Sequence, residues 1–138
     1  MASGEREAIL ALLAPDFVSE DLDGRCIDGL TMADRVVALK IDRSKRVAVT
    51  TLAELTREGD EVLVDQFYRM TTTERSANIP DAVFARSLDR WRLVGGEWYF
   101  VRTTTQALEA HRGRRRTFRA RLDPADPGVS VELSKFDG

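Results

Sequence analysis

The sequence predicts an α+β domain in which short N-terminal helices wrap one face of a curved antiparallel sheet. Two observations predict it. Residues 46–108 read as four long strands joined as two hairpins, and the residues before them carry helical apolar spacing. The whole chain has 138 residues and 43% hydrophobic content, enough for one domain with a sizeable core.

Ser3–Ala14 reads as a short helix, with Ser3 as cap, Glu5 and Glu7 at its positive end, and Ile9, Leu12 and Leu13 as its buried stripe. Pro15 is expected to end it. The run from Asp16 to Gly24 reads as a short extended segment closed by a glycine turn. Leu30–Ile41 reads as a second helix capped by Thr31, with Asp34 at its third position.

The first hairpin pairs Arg46–Arg57 with Glu61–Met70 around the turn dipeptide Gly59-Asp60. A tight turn puts Leu55 across from Val64, Ala53 from Gln66, Thr51 from Tyr68 and Val49 from Met70. The second pairs Ala82–Leu93 with Glu97–Leu108 around Gly95-Gly96. The same arithmetic puts Leu93 across from Trp98, Trp91 from Phe100 and Asp89 from Arg102. Arg90 and Arg92 then point away, which makes the tryptophan face the inner one. Gln66, Tyr68, Asp89 and Arg102 are polar exceptions on that face, next to Trp91, Trp98 and Phe100. This mixture suits a pocket wall. It also suits a core with a cross-strand ion pair between Asp89 and Arg102, which would favour an ionised Asp89.

Beyond Leu108 the chain becomes basic from His111 to Arg121. Domain organisation is therefore read as residues 1–108 forming the α+β domain, with 109–138 a basic extension packing on or trailing from it. The extension reads as a solvated strand, or as a clamp over Glu20–Asp23, with Val129–Leu133 a last short strand. His111 reads as solvated, without a catalytic role.

Composition excludes several classes. Net charge is −2, so general polyanion binding is not expected, and with Phe118 the sole aromatic in the basic stretch a nucleic-acid partner is not expected either. A lone Cys26 and a single histidine exclude a disulfide framework and argue against a zinc site. No metal or organic cofactor is implied. No run is apolar enough to span a membrane and no signal pattern opens the chain, so a cytoplasmic location is expected.

The segment Ala14-Pro-Asp-Phe-Val-Ser-Glu-Asp-Leu-Asp-Gly24, the hairpin stretch Arg86-Ser-Leu-Asp-Arg-Trp-Arg-Leu-Val-Gly-Gly-Glu-Trp98 and the order of elements carry a family resemblance. Over roughly Glu5 to Leu108 the chain resembles the nuclear transport factor 2-like (NTF2-like) superfamily, in particular its bacterial SnoaL-like and ketosteroid-isomerase-like branch. The resemblance implies a cone-shaped, cystatin-like fold. It also implies acid–base chemistry on a carbonyl-bearing apolar molecule of polyketide or steroid type, as an isomerase, cyclase or dehydratase. In that chemistry one carboxylate takes a proton beside a carbonyl and hydrogen-bond donors hold the enolate oxygen. Asp21 falls at the family's general-base position and Asp89 near its protonated aspartate. Arg102 with Tyr68 would stabilise the oxyanion or bind a ligand carboxylate. Gln66, Asp89, Trp91, Trp98 and Phe100 would line the ligand.

The resemblance further implies a long helix ahead of Ser3–Ala14. With the chain starting where it does, the basic extension or a partner chain is expected to cover the open cone. The same fold also serves non-catalytic ligand binding and association. Leu52, Phe67, Leu88, Tyr99 and Val101 are expected on the outer sheet face, where a homodimer interface is expected.

Overall fold

The computed structural model describes residues 2–38, 46–72 and 80–137. The expected end of the second helix, the link after it and most of the connection between the hairpins lie outside the described residues.

Helix α1 spans Ala2–Leu12 and passes directly into strand β1, Leu13–Glu20. Pro15 therefore sits inside a strand. It is tolerated because β1 and β6 lose register between Leu13 and Val18, and an irregular stretch has no ladder bond for proline to break. After a turn, β2 (Cys26–Asp28) leads into α2 (Gly29–Ala38). The α2 cap is Asp28, not Thr31: Asp28 Oδ1 accepts the Thr31 N–H at 2.8 Å. Gly29 lets α2 approach β1 closely, since a Cβ there would lie 2.9 Å from Leu13 Cδ1. Ala33 and Phe17 are buried at this contact, 0% and 2% exposed.

Four long strands follow: β3 (Arg46–Glu58), β4 (Glu61–Thr72), β5 (Ala82–Val94) and β6 (Glu97–Arg112). With β7 (Arg115–Arg121) they complete a seven-stranded sheet in the order β2-β1-β6-β5-β4-β3, with β7 also paired to β6. The β1–β6 pairing is parallel and the others are antiparallel.

Both tight turns lie where the glycines predict them: Glu58 faces Glu61 and Val94 faces Glu97. Register then departs from simple counting at bulges, where one extra residue turns every later side chain to the other face. In β3 the extra residue is Ala53. Leu55 still faces Val64, but Leu52 rather than Ala53 faces Gln66, and Thr50 rather than Thr51 faces Tyr68. Leu52 accordingly leaves the outer face. In β6 the extra residue is Val101. Trp91 still faces Phe100 and Leu93 faces Trp98, but Asp89 faces Thr103 while Arg102 faces Arg90.

Strand β6 runs through residue 108 to Arg112 and turns at Gly113 into β7. Val129–Leu133 is not a strand. It lies in a third helix, α3 (Val129–Asp137), which packs on the outer face of the sheet. Val129 and Leu133, one helical turn apart, form a buried cluster with Phe67 and Ala107, flanked by Ala53 and Phe84. Phe67 is thus covered by the chain's own helix and is 2% exposed, and Val101 is 7% exposed. Of the five residues expected to present an outer apolar surface, Leu88 is the one that is both outward and well exposed, at 40%.

Glu109 holds α3 in place. It is 0% exposed, and its Oε2 accepts the Ser130 hydroxyl at 2.8 Å and lies 2.9 Å from His111 Nε2. Burial pushes this carboxyl upward. His111, Ser130 and the Val129 N–H outweigh burial and hold it below the usual glutamate range. His111 is therefore no solvated residue: its ring also packs edge-on against Phe84 at 5.1 Å.

Candidate ligand site on the concave face

Alternation along β4, β5 and β6 gives the face opposite α3 a graded character. At the hairpin end lie Leu93, Trp98, Trp91, Phe100 and Val62. Next come Val64, Asp89 and Thr103, then Gln66 with Ser87, then Tyr68 with Ala85. Successive rows are about 6.6 Å apart, two residues of strand rise.

The apolar end is an open groove of about 430 Å³ lined by Leu55, Arg57, Val62, Val64, Trp91 and Trp98. Trp91 stacks on Phe100 with ring centroids 4.6 Å apart and planes 10° from parallel. Phe100 in turn meets Phe17 of β1 at 5.1 Å. The groove floor is therefore held by a row of rings, while Leu55 and Trp98 at its rim are 59% and 41% exposed. Arg57 stands at the edge with its Nε bonded to the Gly59 carbonyl at 3.0 Å.

The polar row beside the groove is organised by Asp89, which is 3% exposed. Its Oδ1 accepts the Thr103 hydroxyl and its Oδ2 accepts Gln66 Nε2, each at 2.6 Å. Gln66 Nε2 also reaches Ser87 Oγ at 3.4 Å. Burial is the dominant influence on the carboxyl and raises its pKa; the Thr103 and Ser87 hydroxyls pull the other way without reversing the shift. The ion pair with Arg102 expected from simple register does not form. Val101 turns Arg102 to the other face, where its Nη2 binds Glu20 Oε1 at 2.6 Å. Burial without a neighbouring cation thus weights the carboxyl toward its protonated form, against the donors it accepts from, and burial is the larger influence.

Of the residues singled out in the sequence, the structure places Gln66, Tyr68, Asp89, Trp91, Trp98 and Phe100 on one face. Asp21 and Arg102 are not among them. Asp21 is exposed in the β1–β2 turn, where its Oδ1 accepts the N–H groups of Asp23 and Arg25 at 2.9 and 3.0 Å. Such an Asx turn uses the carboxylate to close the loop. Thr103 was missed because only the Val101 bulge brings it opposite Asp89, whereas Ser87, two residues from Asp89 on β5, was open to alternation alone.

A second cavity of about 430 Å³ lies on the outer face, between the sheet and the loop before α3. Asp65, Asp123, Asp126 and Glu132 make it acidic, and Arg86 is clamped by Asp65 through two bonds of 3.0 and 2.7 Å. Its one lining cation, Arg86, is already occupied by a carboxylate. Among the described residues no group of histidine, cysteine, aspartate and glutamate could hold a metal ion. No helix there is long and apolar enough to cross a membrane.

No family model matches the sequence, and no curated protein matches it. Solved structures do match the fold. An NTF2-like protein from Cytophaga hutchinsonii superposes with a TM-score of 0.57 at 19% identity, over 75% of this chain and 83% of its own. The CaMKII hub homology domain of Chlamydomonas reinhardtii gives 0.57 at 18% identity, over 75% and 84%. A protein from Nostoc punctiforme described as having a cystatin-like fold gives 0.55 at 16% identity, over 75% and 76%. With its curved, unclosed sheet and few helices, the chain has the NTF2-like, cystatin-like fold.

Proposed function

We propose that this protein binds an apolar small molecule carrying an oxygen acceptor, on the concave face of its sheet. The observation that carries the proposal is the contact between two unlike rows: an open apolar groove walled by Trp91 and Trp98, and directly beside it the buried Asp89. The tryptophans supply ring surface for a flat or alicyclic body. Burial raises the pKa of Asp89, and in its protonated form the group would offer a hydrogen bond to a carbonyl, with Gln66 and Tyr68 on the same face. Equilibrium dialysis against a steroid ketone and its deoxygenated hydrocarbon tests this. Saturable binding that favours the ketone supports the proposal, and non-saturable uptake of both contradicts it.

Catalysis of the isomerase or cyclase kind, in the manner of the SnoaL-like branch, is a second reading. The specific observation in its favour is the raised pKa of Asp89, since a carboxylic acid kept neutral can donate to a developing enolate oxygen. In this reading Asp89 takes the oxyanion role first given to Arg102. Asp21 is engaged in its own turn, so in this reading solvent or a buffer base would take the α-proton while the Asp89 carboxyl donates to the enolate oxygen. Exchange of the ketone's α-hydrogens for solvent deuterium, catalysed by wild type and lost in Asp89→Asn, supports it; exchange equal to the buffer rate removes it.

Self-association is a third use of the fold, since the Chlamydomonas neighbour is a hub domain. For this chain a homodimer would draw on exposed Leu88 and the sheet around it. Sedimentation at micromolar concentration tests it, and a monomer there contradicts it.

A further inference from the structure

Among the described residues that line the apolar groove, Arg57 is the one that carries a charge. It shares a face with Val62 and Trp91, because Arg57 pairs with Val62 and Val62 with Trp91. Strand β3 is the last in the sheet order, so Arg57 stands exposed on an open edge, where the groove meets water. Its Nε donates to the Gly59 carbonyl at 3.0 Å, in the turn of its own hairpin. That bond fixes one side of the guanidinium and leaves the two terminal nitrogens, Nη1 and Nη2, as a fork of donors. Arg57 holds no carboxylate among the described residues.

The outer-face arginines contrast with it: Arg86 holds Asp65, Arg90 and Arg92 hold Glu61, and Arg102 holds Glu20. The basic stretch after residue 108 does not clamp Glu20–Asp23 either. It joins the sheet as β7, with Arg119 and Arg121 on the Asp126 carbonyl, while Asp21 closes its own turn. On the concave face, the rows from Leu93 to Tyr68 carry a single carboxylate, Asp89. It stands one row along from Arg57 and two strands away, about 12 Å between backbone positions. Its two oxygens are taken by Thr103 and Gln66, so it does not neutralise Arg57.

We infer that the ligand of this groove is an amphipathic carboxylic acid, bound as its carboxylate with the anionic end at Arg57 and the apolar body across Val62, Trp91 and Trp98. The inference rests on the binding site proposed above and narrows what fills it. A carboxylate matches the paired Nη donors in planar, two-pronged geometry. At the exposed rim it stays partly hydrated, which spares it the desolvation cost of a buried ion pair. The apolar body meanwhile leaves water for the ring surface of the groove. Polarity then runs in order along the ligand: a carbonyl toward buried Asp89, an apolar middle, and a charge at the open edge. The ligand-carboxylate role expected of Arg102 passes to Arg57, since Val101 turns Arg102 to the other face.

The test is equilibrium dialysis of the full chain at neutral pH against a keto-steroid carboxylic acid and its methyl ester, which share body and ketone and differ in charge. Wild type should bind both saturably, and the acid about tenfold more tightly, as a charge-assisted hydrogen bond provides. Arg57→Gln should lose that preference and keep the affinity for the ester. Its melting temperature should match wild type, because Arg57 is exposed. Equal affinity of wild type for acid and ester overturns this inference and leaves the concave site standing. A preference for the acid that survives in Arg57→Gln overturns it too, since the anion then binds elsewhere. Saturable binding of neither compound removes the site itself, and the inference with it.

Discussion

Thr103 stands directly across from Asp89, and its hydroxyl donates to Asp89 Oδ1 at 2.6 Å. The pairing exists because Val101 is an extra residue in β6. Without that bulge Arg102 would face Asp89, and the buried carboxyl would sit beside a guanidinium. One inserted residue thus decides whether the polar row of the concave face is a hydrogen-bonded network without a cation or an ion pair.

A pH dependence follows for Asp89. Its pKa in the fold is raised, chiefly by burial. Between the usual aspartate range and that higher value, the native state keeps a proton that the unfolded chain has released. Stability conferred by the neutral group is complete at low pH and declines as pH rises through this window. Asp89→Asn removes the titration. Urea unfolding at about pH 4 and pH 7 should show the variant gaining on wild type at the higher pH. Asp89→Ala, which leaves Gln66 and Thr103 without their partner, should be destabilised by roughly 2–3 kcal/mol at both.

Glu109 predicts the opposite sign. Despite burial, its partners hold its pKa below the usual glutamate range, so its contribution is present at neutral pH. That contribution is lost as pH falls through the depressed folded value. Glu109→Gln should cost roughly 1–3 kcal/mol at neutral pH, read by urea unfolding, and the deficit should shrink in acid. Gly128 has φ of +112°, and a Cβ there would overlap the Glu109 carboxylate, so Gly128→Ala should destabilise the same corner.

Removal of residues 128–138 should uncover Phe67 and Ala107. Val129 and Leu133 are buried in α3, and losing both should lower stability by roughly 3–5 kcal/mol. Binding of an apolar dye should rise together with the loss of stability. A truncated chain as stable as the full one would show that α3 merely lies on the sheet.

The two tryptophans separate packing from binding. Trp91 stacks on Phe100, so Trp91→Ala should cost roughly 3 kcal/mol of stability. Trp98 is 41% exposed at the groove rim. Trp98→Ala should change stability by less than about 1 kcal/mol. In the same variant, affinity for a steroid ketone should fall about tenfold, the effect of losing roughly 1.4 kcal/mol of contact.

The legible parts of the fold were those with a strong local signature. Gly59-Asp60 and Gly95-Gly96 fix the two turns, and counting outward places the first pairs on either side of them correctly, Leu55 with Val64 and Trp91 with Phe100. The bulges were not legible. Ala53 and Val101 are ordinary strand residues, and nothing in their chemistry marks them as extra. Arg102 was consequently assigned to the wrong face. Helix α3 was hidden for a different reason. Val129-Ser-Val-Glu-Leu133 alternates like a strand, but Glu109 at the start of the helix and the Phe67 surface select the one-turn spacing of Val129 and Leu133. The site's aromatic row was visible from alternation alone, whereas the hydroxyl partner of Asp89 required the three-dimensional register.

The central claim is that Trp91, Trp98 and Asp89 form one ligand surface. The most direct measurement is the pair of indole N–H resonances in a ¹⁵N spectrum, since the chain has two tryptophans and both line the groove. During titration with a steroid ketone, both resonances should shift saturably with one common dissociation constant, and that constant should rise in Asp89→Asn. Saturable binding that leaves both indoles unmoved would place the ligand elsewhere and contradict the account.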